Sequence, residues 1–410
     1  MHYIQRSMET LFLQLTAEYG AILLPGPRQA GKTTMLKHLM EGESQERRYV
    51  SLDDLTARAL AQTDPAMFFQ IYPPPVFIDE VQYAPQLFPA IKMFIDNGQK
   101  RGDFWLTGSQ LFKLMDGVRE SLTGRVAVLQ LYPLSQDEQY TDGSAGPFTV
   151  DLVTLQKRQE MRSPASGPEI FTRIFEGGMP ALASGSITGR SQYYSSYLAT
   201  YLERDVRIIS PIVDSLKFLH FITAVAARTA QLVNYASIAA DSGIDQTTAK
   251  HWLSILEALG IIFYLHPYSN NVLKRTIRTP KLYFYDTALV CYLTKWLSAE
   301  TAMMGAMNGA LLETYVVSEI MKSYRHVGLD VPLYYYRDKD GREIDLLLER
   351  DGHLHPIEIK KSALPNRSDA RAFGVLDKGP LLRGKGAIIC LAEELGALDG
   401  DTLIVGAHLV

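Results

Sequence analysis

The 410-residue sequence has few cysteines and no long apolar run. Its two cysteines, Cys291 and Cys390, are far apart and form neither a disulfide framework nor a zinc pattern. We expect both to be small core residues in a reducing compartment. No apolar stretch reaches the roughly 20 residues of a membrane span, and the N-terminus lacks the charged-then-apolar order of a signal peptide. These absences predict a cytoplasmic protein that makes no membrane contact.

The sequence also lacks an excess of one charge. It has 45 acidic residues against 41 lysines and arginines, which gives a formal net charge of -4. This balance excludes a global electrostatic attraction to nucleic acid and leaves only local basic patches for such contact. Hydrophobic residues make up 47% of the chain, as in ordinary globular proteins. The length predicts two or three domains.

A glycine-containing motif follows the apolar run 21–25 and precedes a predicted helix. Strand, loop and helix in this order are the context of a phosphate-binding P-loop, whose inward N–H groups and helix N-terminus bind phosphate oxygens. Lys32 would reach the β- and γ-phosphates, and Thr33 would hold Mg²⁺. We therefore expect ATP and Mg²⁺ to be bound by Gly26, Pro27, Arg28, Gln29, Ala30, Gly31, Lys32, Thr33 and Thr34.

A second apolar run ends in two acids. Residues 76–80 read Val-Phe-Ile-Asp-Glu, directly after three prolines. In P-loop ATPases, an acidic residue at the carboxyl end of a strand near the P-loop helps the P-loop hydroxyl to hold Mg²⁺. We expect Asp79 to take that role and Glu80 to orient the water that attacks the γ-phosphate.

A third strand is predicted where residues 104–109 read Phe-Trp-Leu-Thr-Gly-Ser. Ligands gather at the carboxyl ends of such strands, so Thr107 or Ser109 is expected to contact the γ-phosphate or the attacking water. Two more strands, at 48–53 and 125–131, complete a three-layer α/β domain.

These segments resemble the AAA-type ATPases of bacteria and archaea that carry an uncharacterised C-terminal domain. The resemblance rests on GPRQAGKTT, VFIDEVQ, WLTGSQ and SLTGRVAVLQLYPLS, and extends to YLERDVR, KLYFYDTALV and EIDLLLE…HPIEIKKS. It implies Walker A, Walker B and sensor 1 motifs, with Ser109 as the sensor residue. AAA-type sites commonly take an arginine from a neighbouring subunit. The resemblance thus implies a homo-oligomer. Arg125 is the first candidate for the arginine supplied by the neighbouring subunit, and Arg119 and Arg204 are the next candidates. The alternative for each is a surface or salt-bridging arginine.

The predicted α/β multidomain chain divides at changes of composition. We expect a P-loop ATPase domain over 1–135, a linker or mobile insertion over 136–168, a helical segment over 169–215, a winged-helix domain over 216–295 and a C-terminal domain over 296–410. The helical segment carries tyrosines at helical spacing, which we interpret as core or lid packing: Tyr193, Tyr194, Tyr197 and Tyr201.

The winged-helix prediction rests on helices over 234–242 and 247–259 with a short glycine turn between them. The domain either binds DNA or serves as a protein-packing module. The second alternative stays open because the helix over 247–259 has only one lysine and therefore little positive charge for DNA. DNA contact would involve the start of that helix, at Gln246, Thr247, Thr248, Lys250 and His251. The better phosphate contacts are Lys274, Arg275, Arg278 and Lys281.

Asp351 and Gly352, between alternating strands, predict a two-residue hairpin turn. This register sets Asp345 opposite Glu358 and Glu343 opposite Lys360. The neighbouring apolar residues project to the other face, into a core: Ile344, Leu346, Leu348, Ile357 and Ile359. Opposed carboxylates repel, so one holds a proton or a cation such as Mg²⁺ lies between them. The alternative is a Glu343–Lys360 ion pair on a solvated face.

The set Glu313, Asp345, Glu358 and Lys360 resembles the E…D…ExK pattern of the restriction-endonuclease-like superfamily. The resemblance implies a nuclease-like α/β domain that hydrolyses phosphodiesters, with Asp345 and Glu358 as metal ligands and Lys360 activating water or stabilising charge. Two functions stay open at this point. One is an ATPase that couples nucleotide state to DNA binding or cleavage. The other is a non-catalytic, nucleotide-gated switch that binds DNA or protein. A remodelling motor would additionally need a ring or filament.

Overall fold

The computed structural model describes residues 3–43, 46–98, 100–109, 121–202, 214–269, 279–338, 340–378 and 381–410. The helices are α1 (Glu9–Thr16), α2 (Lys32–Glu41), α3 (Leu55–Thr63), α4 (Pro65–Ile71), α5 (Leu87–Asp96), α6 (Gln136–Tyr140), α7 (Leu152–Met161), α8 (Gly167–Glu176), α9 (Pro180–Ala183), α10 (Arg190–Ser196), α11 (Ser215–Ala226), α12 (Tyr235–Ser242), α13 (Gln246–Ala258), α14 (Thr287–Leu293), α15 (Ala299–Met304) and α16 (Asn308–Arg325). None of these described helices is long and apolar enough to cross a bilayer.

The strands are β1 (Ala21–Pro25), β2 (Arg48–Ser51), β3 (Val76–Asp79), β4 (Phe104–Gly108), β5 (Val126–Val128), β6 (Gln231–Leu232), β7 (Ile262–Leu265), β8 (Lys281–Phe284), β9 (Leu333–Arg337), β10 (Glu343–Arg350), β11 (His353–Ile359), β12 (Leu382–Arg383), β13 (Gly386–Cys390), β14 (Gly396–Ala397) and β15 (Thr402–Gly406). They form three sheets.

The first sheet is parallel, with strand order β2-β3-β4-β1-β5. Its interior strand β1, between β4 and β5, is apolar because both faces are covered: Leu23 packs into one core with α5, and Ile22 and Leu24 pack into another with α1 and α2. A sheet buried on both faces by helices is the three-layer α/β arrangement predicted from the sequence.

The segment 136–168 is packed and is not the predicted linker. Gln136 Nε2 donates to the carbonyl oxygen of Val410 at 2.9 Å, and Arg162 Nη1 donates to that of His408 at 2.8 Å. These buried contacts join the segment to the last residues of the chain. The breaker-rich stretches therefore supply turns inside a packed connection.

The middle of the chain holds α11, α12 and α13 beside a three-stranded antiparallel sheet of order β6-β8-β7. The predicted helix–turn–helix segment is present as α12 and α13. Gly243 ends α12 with φ of 63°, and the Asp245 side chain caps α13 by accepting from the Thr248 N–H at 2.9 Å. Tyr193, Tyr194 and Tyr197 are buried, which agrees with core packing, whereas the side chain of Tyr201 lies outside the described part of the chain.

The third sheet is mixed, with order β14-β15-β13-β11-β10-β9 and with β12 beside β11. The predicted hairpin is confirmed, because Arg350 pairs with His353 and Asp351 and Gly352 have φ of 50° and 74°. The predicted face of Ile344 is wrong. A register shift between Ile344 and Leu347 turns Ile344 into a core separate from that of Leu346 and Leu348.

Candidate functional site

The loop after β1 and the start of α2 form one wall of a cleft of about 510 Å³. The loop needs its glycines for different reasons. Gly31 has φ of 92°, and a side chain on Gly26 would place its Cβ 2.2 Å from the carbonyl oxygen of Leu131. Lys32 is buried, and its Nζ donates to the carbonyl oxygens of Gly26 at 2.9 Å and Pro27 at 2.8 Å. The ammonium group is thereby held over the loop, where phosphate oxygens would meet it.

Most of the other residues predicted to bind phosphate also line this cleft. The cleft is lined by Arg28, Gln29, Gly31, Lys32, Thr33 and Thr34. Gln29 has φ of 62°, a left-handed conformation that is uncommon outside glycine and that turns the loop toward the cleft. The Ala30 carbonyl oxygen accepts a hydrogen bond at 2.8 Å from Arg6, which also lines the cleft.

Thr33 and Asp79 are brought together by the parallel packing of β1, β4 and β3. The Thr33 hydroxyl donates to the Asp79 carboxylate at 3.0 Å, and Tyr49 and Thr107 also donate their hydroxyl groups to that carboxylate. A hydroxyl and a carboxylate are hard oxygen donors, so the pair fits Mg²⁺ in chemistry. Thr107, which the sequence offered beside Ser109 as a contact of the γ-phosphate or the attacking water, is bound to Asp79 in the structure.

Glu80 follows β3 and lines the cleft. It has φ of 58°, a left-handed backbone that an ordinary residue adopts only when its surroundings require it. Gln82 Nε2 donates to its carboxylate, and the Ser109 hydroxyl lies 3.4 Å from Glu80 Oε2. Glu80 and Ser109 are thus neighbours at the carboxyl ends of β3 and β4, where the sequence placed a water-orienting acid and a sensor residue.

The candidate arginines are not brought to this cleft. Arg125 precedes Val126, which pairs with Ala21 at the opposite end of β1 from the P-loop, about 13 Å along the strand. There Arg125 forms an ion pair with Asp96, with 2.5 Å between Nε and Oδ1. Arg125 therefore cannot serve the P-loop of its own chain, and its action in a neighbouring subunit stays a prediction. Arg119 and Arg204 lie outside the described residues.

Sequence reasoning missed Arg6, which belongs to no motif. Arg6 is buried, and its guanidinium donates to Ala30 O, Tyr132 O and Glu138 Oε1 at 2.8, 2.7 and 3.0 Å. The sequence does show the capping-box spacing of Ser135 and Glu138, and Glu138 is one of the partners of Arg6. This spacing predicts the start of a helix but no contact with Arg6 or the P-loop.

A second polar cluster forms where β10 and β11 meet α16. Lys360 Nζ lies 2.5 Å from Glu358 Oε2 and 3.9 Å from Asp345 Oδ2, and the backbone N–H of Ile359 donates to Asp345 at 2.9 Å. Glu313, from α16, accepts from the Tyr283 hydroxyl at 2.7 Å. The four residues of the predicted E…D…ExK set thus face one region.

Lys281 was also missed as a member of this cluster. It is buried between Glu313 and Glu343, at 3.1 and 2.7 Å, so it is not free to make the phosphate contact for which the sequence made it a candidate. This pairing also takes Glu343 away from Lys360, which pairs with Glu358. The other predicted phosphate contacts, Lys274, Arg275 and Arg278, lie outside the described residues.

The cluster holds more carboxylates than lysines. Burial and the charge of Asp345 raise the pKa of Glu313 to about 7 and that of Glu358 to about 8. Burial is the larger cause of both pKa shifts, and the crowding of acids that the sequence predicted for Asp345 and Glu358 adds to it. The cluster therefore holds protons near neutral pH that a cation could displace.

Three family models match successive parts of the chain. Residues 18–140 match the model of an AAA domain. Residues 168–300 match a domain of unknown function (DUF8612), and residues 308–408 match another (DUF4143). The sequence is also 29% identical over 397 residues to uncharacterized proteins of Mycobacterium tuberculosis and Mycobacterium bovis, which covers 95% of this chain and 80% of each of theirs.

Solved structures are more distant. A Walker-type ATPase of Pyrococcus abyssi is 16% identical, with a TM-score of 0.43 over 71% of this chain and 96% of that one. The RuvB Holliday junction branch migration motor of Thermotoga maritima is 18% identical, with a TM-score of 0.32 over 63% and 89%. The AAA model match, the parallel sheet and the loop geometry agree on the N-terminal region: it is a P-loop ATPase-like domain of the AAA type.

Proposed function

We propose that this chain binds ATP with Mg²⁺ in the cleft above β1 and hydrolyses it. The observation that carries the proposal is the meeting of Lys32, Thr33, Asp79 and Glu80 at one edge of a parallel sheet. Each of these side chains is positioned by a strand end or a helix start, so little reorganisation is needed on binding.

Different residues of the chain have different roles in binding and hydrolysis. The loop N–H groups and Lys32 bind the phosphate oxygens, and Thr33 with Asp79 would hold Mg²⁺, which neutralises phosphate charge. Glu80, held by Gln82, orients the attacking water and accepts its proton. Ser109, beside Glu80, contacts the same water or the γ-phosphate.

Substitution of Lys32 tests the binding step. We expect Lys32→Ala to abolish ATP binding and hydrolysis, because it removes the buried ammonium that meets the β- and γ-phosphates. Lys37→Ala is the matched control, since Lys37 lies on the same helix, is exposed and stacks on Tyr49. Titration calorimetry with Mg²⁺–ATP measures binding. Parental hydrolysis by Lys32→Ala would show that the P-loop assignment is wrong.

Substitution of Glu80 tests the chemical step separately. We expect Glu80→Gln to bind ATP as tightly as the parental protein but to hydrolyse it about 10²- to 10⁴-fold more slowly, because general base catalysis contributes about that much. A Glu80→Gln variant with an unchanged rate of phosphate release would remove Glu80 from the mechanism.

A second candidate function is metal-dependent hydrolysis of DNA by the C-terminal cluster, coupled to the state of the nucleotide. The convergence of Glu313, Asp345, Glu358 and Lys360 favours it. Asp345 and Glu358 fit a divalent cation in chemistry. Across the described residues, however, no group of three or more His, Cys, Asp or Glu side chains is arranged to hold a metal ion.

A cleft beside this cluster gives DNA room to approach. It has a volume of about 320 Å³, and its charged lining consists of Arg342, Lys360 and Arg371 together with Glu343, Glu358 and Asp369. The exposed start of α13, with Gln246, offers a separate surface for base contact. DNA is therefore the partner we propose for the C-terminal half of the chain.

Supercoiled DNA incubated with Mg²⁺ or Mn²⁺, with and without ATP, tests this candidate. We expect cleavage by the parental protein and at least a 100-fold loss in Asp345→Asn, because the cation would lose one of two carboxylate ligands. Asp377→Asn is the control, since Asp377 pairs with Arg383 at 2.8 Å and is outside the cluster. Binding without cleavage under every condition would support the non-catalytic, nucleotide-gated switch instead.

A further inference from the structure

Arg6 lies beside the P-loop, where it lines the same cleft and holds the loop in position. Its Nη1 donates to Ala30 O at 2.8 Å, and this carbonyl belongs to the same peptide unit as the Gly31 N–H of the phosphate-binding loop. Its Nη2 and Nε are held by Tyr132 O and Glu138 Oε1. Because all sides of the guanidinium are engaged, Arg6 cannot move without either moving the loop or breaking a hydrogen bond.

Glu138 is the next member of this chain of contacts. It is fully buried at the start of α6 and accepts hydrogen bonds from Arg6, from Ser7 N at 2.9 Å and from Ser135 N at 2.9 Å. Burial opposes its charge, but Arg6 and the other positive and N–H groups around it outweigh burial and lower the pKa of Glu138 to about 2. Glu138 is therefore a fixed negative charge between two parts of the molecule.

His326 lies on the other side of Glu138. It is the residue that ends α16, and its Nδ1 is 3.4 Å from Glu138 Oε1. Burial lowers the pKa of His326 to about 4, so the ring is neutral at pH 7, and a proton on Nδ1 would point toward the Glu138 carboxylate. Within the described part of the chain, His326 Nε2 has no hydrogen-bond partner. It borders a cavity of about 20 Å³, which is large enough for one water molecule.

Helix α16 connects this network to the carboxylate cluster. It is buried along most of its length and carries Glu313 near its start and His326 at its end. They are thirteen positions apart, which is about 20 Å along the helix axis. If α16 moves as a rigid body, a shift at His326 is carried to Glu313, which binds Lys281 and Tyr283.

We infer that Arg6, Glu138 and His326 are positioning residues that couple nucleotide binding at the P-loop to the position of α16, and through α16 to the carboxylate cluster. This inference rests on the proposed binding of ATP at the P-loop. By reciprocity, the contact between His326 and Glu138 also sets the affinity of the loop for nucleotide. Coupled sites of this kind change each other's affinity by about 5- to 150-fold.

Two variants and a control test the inference with Mg²⁺–ADP. Glu138→Gln keeps the shape but removes the charge that holds Arg6, and His326→Gln removes the ring at the end of α16. Asp137→Asn is the matched control, because Asp137 is on the same short helix and pairs with buried Arg162 at 2.8 Å. We expect the dissociation constant to rise about 10-fold in the first two variants and less than about 2-fold in the control.

Hydrogen exchange separates coupling from a general loss of stability. At saturating Mg²⁺–ADP we expect slower amide exchange along residues 311–326 in the parental protein and in Asp137→Asn. In Glu138→Gln and His326→Gln that slowing is lost although nucleotide is bound. If Glu138→Gln does not fold, His326→Gln, which removes no charge at neutral pH, decides the test.

Each outcome has one meaning. Absence of nucleotide binding in the parental protein would refute the proposed function. Binding that leaves the exchange of residues 311–326 unchanged would refute the coupling alone. Equal effects of Glu138→Gln and Asp137→Asn on affinity and exchange would also refute it, because the residues would then be only structural.

Discussion

Glu358 shows how the fold sets the charge of one side chain. Its carboxyl group is buried beside Asp345, and Lys360 Nζ is 2.5 Å from Glu358 Oε2. The lysine lowers the pKa of Glu358, but burial and Asp345 have the larger effect and raise it to about 8. An ordinary surface glutamate would be ionised over the whole neutral range.

This shift predicts a pH dependence of stability. A carboxyl group with a raised pKa binds more protons in the folded state, so its contribution to stability is complete below its ordinary pKa of 4.5 and is lost as pH rises through about 8. We expect the free energy of unfolding of the parental protein to fall between about pH 5 and pH 8.5 and that of Glu358→Gln to fall less. Urea denaturation at each pH measures this. If the free energy of unfolding changed with pH in the same way in the parental protein and in Glu358→Gln, the raised pKa of Glu358 would be contradicted.

At the scale of elements, one glycine controls how the first domain meets the helices that follow it. The Gly178 carbonyl accepts from Leu134 N at 2.7 Å, and its N–H donates to Asp286 at 2.9 Å. A Cβ at Gly178 would lie 2.3 Å from the carbonyl oxygen of Leu134, which is backbone and cannot move aside. Only glycine fits between these two segments.

Gly178→Ala is therefore expected to lower the free energy of unfolding by about 3 kcal/mol, through overlap and the loss of a junction hydrogen bond. Gly309→Ala is the control, because Gly309 lies in the first turn of α16 and a Cβ there meets nothing within 4 Å. This control is expected to be neutral or stabilising by about 0.5 kcal/mol. Urea denaturation compares the two. Equal changes would show that the approach of Gly178 to Leu134 is not needed.

The sequence predicted elements whose signals are local. The P-loop lies where its motif stands, and the hairpin turns at Asp351 and Gly352 because both residues tolerate a left-handed backbone. The burial of 136–168 was not predicted, since its breaker-rich composition describes turns and carries no trace of its distant partners. The turned face of Ile344 was missed for a related reason: a register shift depends on the neighbouring strand.

In the two candidate sites, too, some residues could be predicted from local sequence signals and others could not. Thr33, Asp79 and Glu80 were predictable because parallel strands place their carboxyl ends at one edge. Arg6 and Lys281 were not, because each is bound by residues more than 20 positions away in the chain. Long-range ion pairs leave no periodicity or spacing in a sequence.

At the scale of the whole molecule, Arg125 and the P-loop lie at opposite ends of the first sheet. An arginine in that position reaches an ATP site only if a second copy of the chain presents it. Its ion pair with Asp96 keeps the side chain at the surface, with about a third of it exposed. We therefore propose a homo-oligomer in which Arg125 of one subunit completes the site of the next.

Mixing two inactive variants tests this proposal. Lys32→Ala lacks a working P-loop but keeps Arg125, whereas Arg125→Ala keeps the P-loop but lacks the arginine. We expect each alone to lose at least about 10³-fold in hydrolysis, the contribution typical of an arginine supplied in trans. Their mixture should regain activity, because some sites then combine an intact loop with an intact arginine.

Two further measurements complete this test. Asp96→Asn breaks the ion pair but keeps the arginine, so it should hydrolyse ATP at close to the parental rate. The mass of the parental protein in solution should rise when Mg²⁺–ATP is added, because bound nucleotide completes the contact between subunits. A strict monomer with and without nucleotide, together with no recovery in the mixture, would place Arg125 among the salt-bridging surface arginines and leave the ATPase to work within a single chain.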